Sequence, residues 1–186
     1  MSYQKKTIKA ILEEINTGKM YLPAIQRKYV WSESQIARLM DSILLGYPIG
    51  TFLFWKVSAK TINEKEYSLY KFIHNYHERD MFENPHAPQP LSPEKTIYTV
   101  LDGQQRLTSL YISLQGTLAM KLPMKHWTND DAFPTKELYL NLRSKKLDVD
   151  DEITYEFAFL TDAAAQKREA DSLWFKVKDI LQYDFR

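Results

Sequence analysis

The periodicity of the apolar residues changes from that of a strand to that of a helix on either side of one short turn. Residues 97–101 are an apolar, β-branched run that predicts a strand, and Gly116 is placed to end the helix that follows it. From about Gln104 to Gln115 one helical face carries four apolar side chains, which are Leu107, Leu110, Tyr111 and Leu114. The sequence therefore predicts a strand–turn–helix joint, with Asp102 and Gly103 at the turn.

All residues of this joint except Asp102 suit a bound phosphate. Gly103 lets the backbone turn sharply and lets a ligand approach, and the helix that begins here presents unpaired N–H groups at the positive end of its dipole. Arg106 can donate a forked pair of hydrogen bonds to phosphate oxygens, and Gln104 and Gln105 can orient a water or a ribose hydroxyl. Asp102 repels a phosphate unless it holds a metal ion or acts as a base. The alternative is a plain helix start with Asp102 as N-cap and Arg106 exposed.

A second polar cluster lies directly before a helix that a capping box predicts. Gln26 and Arg27 stand in a loop with Tyr29 and Trp31, ahead of a helix that begins with a capping box. An arginine in such a loop can meet a second phosphate, and the two aromatic rings can stack on a base. The alternative is that Trp31 packs as a hydrophobic staple and Arg27 lies in solvent.

The remaining elements follow from periodicity and turn residues. Gly18 ends a first helix, and Ser32 with Gln35 forms the capping box of a second helix that Gly46 ends. The other predicted segments are a helix near 8–15, a short segment 20–22, a buried strand 51–57, strands near 118–121, 137–142 and 153–160, and an amphipathic segment 174–183. Residues 58–95 are polar and rich in proline, so we expect a surface insertion or lid that buries little.

The composition of the chain excludes a disulfide-bonded protein and a membrane-spanning helix. The net charge is +1, there is no cysteine, and no apolar run approaches the roughly 20 residues of a membrane helix, so we expect a cytoplasmic protein without disulfides. The first 40 residues carry a local excess of +4, and Lys28 and Arg38 in it are candidate DNA contacts. A solvated helix face explains the same excess. Asp41, one turn after Arg38, is interpreted as half of a surface ion pair.

Two further clusters have the composition of metal sites. His74 and His77, with Glu78 and His86 nearby, have ligand-like spacing but no fixed motif, so a metal there is a minor alternative. The acidic run 148–152 lacks the glycine of a calcium loop and is interpreted as a solvated turn.

Three motifs taken together resemble a known family. They are Pro23-x-x-Gln26-Arg27-x-x-Val30-Trp31, Tyr47-Pro48-Ile49-Gly50 and Leu101-Asp102-Gly103-Gln104-Gln105-Arg106-Leu107. In this order they are similar to the N-terminal domain of GmrSD-type modification-dependent restriction enzymes, the domain-of-unknown-function family 262, over roughly residues 7–120 and more weakly beyond. That domain is similar in turn to ParB N-terminal domains and sulfiredoxin.

The resemblance implies a single α+β, ParB/sulfiredoxin-like domain over 1–186 that forms the N-terminal part of a longer protein. It implies a nucleotide, GTP or ATP with Mg²⁺, whose hydrolysis is coupled to sensing modified DNA for a nuclease module or partner subunit outside this chain. By motif match, Asp102, Gln104, Gln105 and Arg106 contact or hydrolyse the nucleotide. The chemistry of Asp102 leaves two roles open in such a reaction, holding the Mg²⁺ or activating the water. Gln26 and Arg27 close the pocket.

The sequence leaves three hypotheses about function open. The first is a nucleoside triphosphatase, and the second is a non-catalytic module in which a nucleotide or a DNA phosphate fixes one conformation. The third is phosphoryl transfer, which ranks last because the chain has neither a cysteine nor an evident acceptor site.

Overall fold

Local capping and helical spacing produce the three helices that the sequence predicts, and the structure adds two short helices over residues 59–64 and 162–165. The computed structural model describes residues 4–25, 28–144, 153–167 and 171–183. Thr7 caps the first helix by accepting a hydrogen bond from the Ala10 N–H, and Ser32 and Gln35 form both bonds of the predicted capping box. The helices are α1 (Ile8–Asn16), α2 (Glu33–Leu44), α3 (Ala59–Glu64), α4 (Gln104–Gln115) and α5 (Asp162–Ala165).

The strands form three small sheets. They are β1 (Met20–Pro23), β2 (Leu53–Ser58), β3 (Leu69–Tyr70), β4 (Asn75–His77), β5 (Thr96–Asp102), β6 (Thr117–Ala119), β7 (Glu137–Asn141), β8 (Phe157–Leu160) and β9 (Trp174–Lys176). Short 3-10 helices span Asp130–Ala132 and Val177–Gln182. The mixture of helices and small mixed sheets confirms the α+β class, whereas the ParB/sulfiredoxin-like arrangement stays a prediction.

The described residues divide into two units. The first draws on residues 1–28, 51–72 and 83–104. It holds the four-stranded sheet, in the order β2-β5-β1-β3, in which β5 runs parallel to β1 and antiparallel to β2. Its core is an apolar cluster of Tyr21, Val57, Ala59, Ile62, Leu69, Ala87, Leu91 and Ile97.

The second unit draws on residues 29–50, 73–82 and 105–186. It contains the parallel pair β4–β6 and the antiparallel sheet β8-β7-β9. Helix α4 is buried around its whole circumference from Leu107 to Leu114, rather than on the single apolar face that its spacing predicts. No helix within the described ranges has both the length and the apolar character needed to cross a membrane. The sequence-based prediction of one domain over 1–186 stays a prediction.

The expectation that residues 58–95 bury little is wrong. Within the first unit this segment supplies Ile62, Leu69 and Leu91, each at most 6% exposed, and Asn63 pairs with both backbone groups of Leu91. Its apolar residues are spaced irregularly between prolines and polar residues, so periodicity alone does not show that they are buried.

Strand β2 is not the buried strand that its composition predicts. It lies at the edge of the four-stranded sheet, and Leu53 and Trp55 are 44% and 41% exposed. Trp55 instead packs edge-on against Tyr67, with ring centroids 6.0 Å apart. Edge strands have a neighbour on one side only, and this position does not appear in the composition of the strand.

Asp41 also differs from its predicted role as half of a surface pair. It is 3% exposed, and its carboxylate accepts hydrogen bonds from the backbone N–H groups of Tyr155 (2.8 Å) and Thr154 (3.2 Å). These residues precede β8, which begins at Phe157 rather than near 153 as predicted. Asp41 therefore joins α2 to the segment that leads into β8.

Candidate functional site at the start of helix α4

Strand β5 ends in an irregularity directly before the predicted turn. Across the β2–β5 pair, Leu53 lies opposite Asp102, whereas Phe54 lies opposite Val100, so that Leu101 is the extra residue of a β-bulge. Bulges change the direction of a strand and occur often beside functional sites. The exposed Asp102 is the last residue of the strand.

Gly103 connects the strand to the helix with a φ of +86°, which places it in the left-handed region that favours glycine. Helix α4 begins at Gln104, so the N-cap position falls on Gly103 rather than on Asp102. The side-chain amide of Gln104 donates to the carbonyl of Val100 at 2.8 Å. The predicted strand–turn–helix joint is therefore confirmed, and one glutamine amide braces it.

Gln105 binds the loop that precedes α2. Its Oε1 accepts a hydrogen bond from the Val30 N–H at 3.1 Å. One helical turn further, the Tyr29 hydroxyl lies 2.8 Å from Ser109 Oγ, which donates to the carbonyl of Gln105 at 2.9 Å. Two of the three sequence motifs thus meet within the second unit, through Val30 and Gln105.

Tyr29 is almost fully buried where it meets Ser109, and burial raises its pKa well above the usual value near 10. The ring of Tyr29 also makes an edge-on contact with Tyr76, with ring centroids 5.3 Å apart. Since deprotonation in this environment is unfavourable, Tyr29 acts as a neutral structural hydroxyl.

Tyr29→Phe is expected to lower the free energy of unfolding by about 1 kcal/mol at pH 7, because it removes one buried hydrogen bond and leaves Ser109 its bond to Gln105. A group whose pKa is raised in the folded state contributes stability that is present below its unfolded pKa, near 10, and is lost as the pH rises above it. The variant should therefore lose stability less steeply than the wild type above pH 10. Urea unfolding from pH 7 to 11 measures both effects, and parallel curves above pH 10 would contradict the prediction.

Arg106 contacts the segment that follows α2. Its Nη1 donates to the carbonyl oxygen of Ile49, and the next residue, Gly50, lies close beside the guanidinium. Arg106 is half-buried. The third sequence motif, Tyr47-Pro48-Ile49-Gly50, therefore reaches the same first turn of α4 as Val30 does.

The structure describes only part of the second polar cluster. Gln26 and Arg27 lie outside the described residues, and Trp31 is half-buried in the loop before α2. The roles predicted for these three residues, closing a pocket and stacking on a base, stay predictions.

Two candidate DNA contacts are exposed. Lys28 lies 3.5 Å from Glu83 across an ion pair in which both side chains are about 70% exposed, a type that contributes little to stability. Arg38 is exposed on α2. Neither arrangement tests DNA binding.

The histidine cluster is not one group: His77 and Glu78 are engaged within the second unit, whereas His86 lies in the first unit against Tyr70, with ring centroids 4.5 Å apart. His77 Nδ1 accepts hydrogen bonds from the Arg79 and Asp80 N–H groups at 3.3 and 3.1 Å, and Glu78 accepts one from the Lys121 N–H at 2.6 Å. Among the described residues, no group of three or more histidine, aspartate or glutamate side chains is arranged to hold a metal ion. The acidic run 148–152 falls outside those residues.

The fold and the joint define an α+β protein in which a bulged strand turns at a glycine into a buried helix. The family model of the GmrSD restriction endonuclease N-terminal domain matches residues 8–185, and the chain belongs to this family, which confirms the resemblance found in the sequence. Its context is thus that of restriction and defence proteins. The chain is 31% identical over 133 residues to an uncharacterized protein of Methanocaldococcus jannaschii. The match covers 72% of this chain and 20% of that relative, so this chain corresponds to a minor part of the relative's length.

Proposed function

We propose that this domain binds and hydrolyses a nucleoside triphosphate, with a phosphate at the first turn of α4. In this proposal the nucleotide regulates the cutting of modified DNA by a nuclease module or partner subunit outside this chain. The observation that carries the proposal is the joint itself, in which Gly103 at φ +86° leads directly into a helix whose first turn bears Arg106. A helix start of this kind favours anions through its N–H groups and its dipole.

Arg106 is the residue best suited to the phosphate. A half-buried guanidinium forms stronger charge-assisted hydrogen bonds than one in open solvent, and its planar fork matches two phosphate oxygens. One of its N–H groups donates to the carbonyl of Ile49. In the proposal, Arg106 neutralises charge that develops on the transferred phosphoryl group.

Asp102 suits a supporting role with Mg²⁺ or the attacking water. Mg²⁺ is commonly held by one or two carboxylates together with phosphate oxygens and waters. Asp102 is a single exposed carboxylate at the end of β5, so it would bind Mg²⁺ only together with the phosphates of a bound nucleotide. The ion would supply charge neutralisation on the phosphates. Asp102 would orient it or accept a proton from water.

Arg106→Ala is expected to weaken nucleotide binding by about 10- to 100-fold, because a charge-assisted hydrogen bond is worth roughly 1.5–3 kcal/mol. Isothermal titration of the chain with GTP and with ATP, each with and without Mg²⁺, measures the change. Arg38→Ala is the matched control, because it removes an exposed arginine from α2. Equal affinities of Arg106→Ala and Arg38→Ala, or the absence of nucleotide binding by the wild type, would contradict the proposal.

A non-catalytic switch is the second candidate, and one observation favours it. Both glutamines of the joint are engaged by protein groups: Gln104 by the Val100 carbonyl and Gln105 by the Val30 N–H. In this candidate the two glutamines, which the sequence predicts to align a water, brace the joint. Under this candidate the nucleotide binds at the same place and is not turned over.

A further inference from the structure

The guanidinium of Arg106 is held by the backbone of the residues after α2. The carbonyl oxygen of Ile49 accepts a hydrogen bond from Nη1, and both residues belong to the second unit. Because a guanidinium is planar and rigid, fixing one of its N–H groups restricts the direction in which the others point. The contact therefore determines the orientation of the arginine and not only its position.

Gly50 provides the space that this orientation needs. A Cβ built on Gly50 would lie 2.5 Å from Arg106 Nη1, 3.4 Å from Cζ and 3.8 Å from Nη2. Contacts under 3.0 Å are essentially never seen for a real Cβ, so any side chain at position 50 has to displace the guanidinium.

Gly46 shows that this requirement is separate from backbone conformation. Gly46 has a φ of +75° and Gly50 a φ of +86°, so both favour glycine for the same conformational reason. A Cβ on Gly46, however, would meet nothing within 4 Å. Comparing the two positions therefore isolates the effect on Arg106 from the cost of a positive φ.

We propose that the Ile49 carbonyl and Gly50 position the guanidinium of Arg106 for phosphate binding. This inference rests on the proposed function, and it adds two residues whose contribution is made through Arg106. The first turn of α4 is then organised from both ends of α2, by Val30 through Gln105 and by Ile49 through Arg106. The competing interpretation is that the contact only attaches the loop after α2 to α4 and serves stability.

Gly50→Ala and Gly46→Ala decide between these interpretations when each is titrated with GTP and with ATP in the presence of Mg²⁺. We expect Gly50→Ala to weaken binding about fivefold, because it turns the guanidinium away from its hydrogen-bonding direction, and Gly46→Ala to change it less than twofold. Urea unfolding of both variants shows the stability cost of alanine at a positive φ, which should be comparable at the two positions.

The decisive step repeats the comparison in the Arg106→Ala background. If Gly50 acts through Arg106, the fivefold effect of Gly50→Ala disappears there, because the group that it displaces is gone. A purely structural role would leave the affinities of Gly50→Ala and Gly46→Ala equal, or leave the effect of Gly50→Ala additive to that of Arg106→Ala; either result overturns the inference while the proposed function stands. Absence of nucleotide binding by the wild type overturns both.

Discussion

Asp102→Asn is expected to lower phosphate release from GTP or ATP by about 100-fold or more, while nucleotide affinity measured without Mg²⁺ is retained. The substitution keeps the shape of the side chain and removes its charge, so the end of β5 and the turn at Gly103 keep their geometry. A neutral amide can neither accept a proton from water nor bind Mg²⁺ as a carboxylate does. Removing a negative charge from the neighbourhood of a phosphate should, if anything, improve binding.

Steady-state phosphate release at saturating nucleotide, together with titration of the same preparations, separates turnover from binding. Asp131→Asn is the matched control, because it makes the same chemical change at an exposed position far along the sequence. Equal turnover of Asp102→Asn and Asp131→Asn would contradict the catalytic role of Asp102. A wild type that binds nucleotide and releases no phosphate would instead establish the non-catalytic switch.

Helices α1, α2 and α4 were predictable because their signals are local, whereas the short helices α3 and α5 were not predicted. The capping box of α2 needs only Ser32 and Gln35, and α4 runs from Gln104 to Gln115 as its spacing and Gly116 predict. Capping and helical spacing depend on residues within one or two turns of each other, and these lie close together in the sequence. The same holds for the turn at Gly103.

Burial was harder to predict because it depends on sheet order and tertiary contacts. The aromatic strand β2 lies at a sheet edge, and the polar segment 58–95 contributes Ile62 and Leu69 to the core of the first unit. Asp41 has the local sequence of a surface residue, yet its partners are two backbone N–H groups more than 110 residues further on. Such partners carry no side-chain signal in the sequence.

The candidate site shows the same division. Sequence reasoning selected Asp102, Gly103 and Arg106 by their chemistry, and the structure confirms the joint that carries them. The positioning role of Ile49 and Gly50 was not predictable from the sequence, because Ile49 acts through its carbonyl oxygen and Gly50 through the absence of a side chain. The signal that the sequence offered for both residues was their place in the motif Tyr47-Pro48-Ile49-Gly50, which resembles the family.

Asp41→Ala is expected to lower the free energy of unfolding by about 2–3 kcal/mol. The variant removes two hydrogen bonds to a charged acceptor and leaves the Thr154 and Tyr155 N–H groups without it. Since Tyr155 is partly accessible to water, part of the loss is recovered by solvation, which keeps the effect below that of a fully buried pair.

Arg38→Ala is the control that distinguishes the two roles considered for Asp41. If Asp41 acted only through a surface ion pair with Arg38, both alanine variants would cost the same few tenths of a kcal/mol. The buried position of Asp41 predicts instead that Arg38→Ala stays within about 0.5 kcal/mol of the wild type while Asp41→Ala does not. Asp41→Asn should fall between them, because an amide oxygen can accept one of the two backbone bonds and its NH₂ group cannot accept the other. Urea unfolding of the three variants at pH 7 measures this order, and equal losses for Asp41→Ala and Arg38→Ala would show that the backbone contacts before β8 do not stabilise the fold.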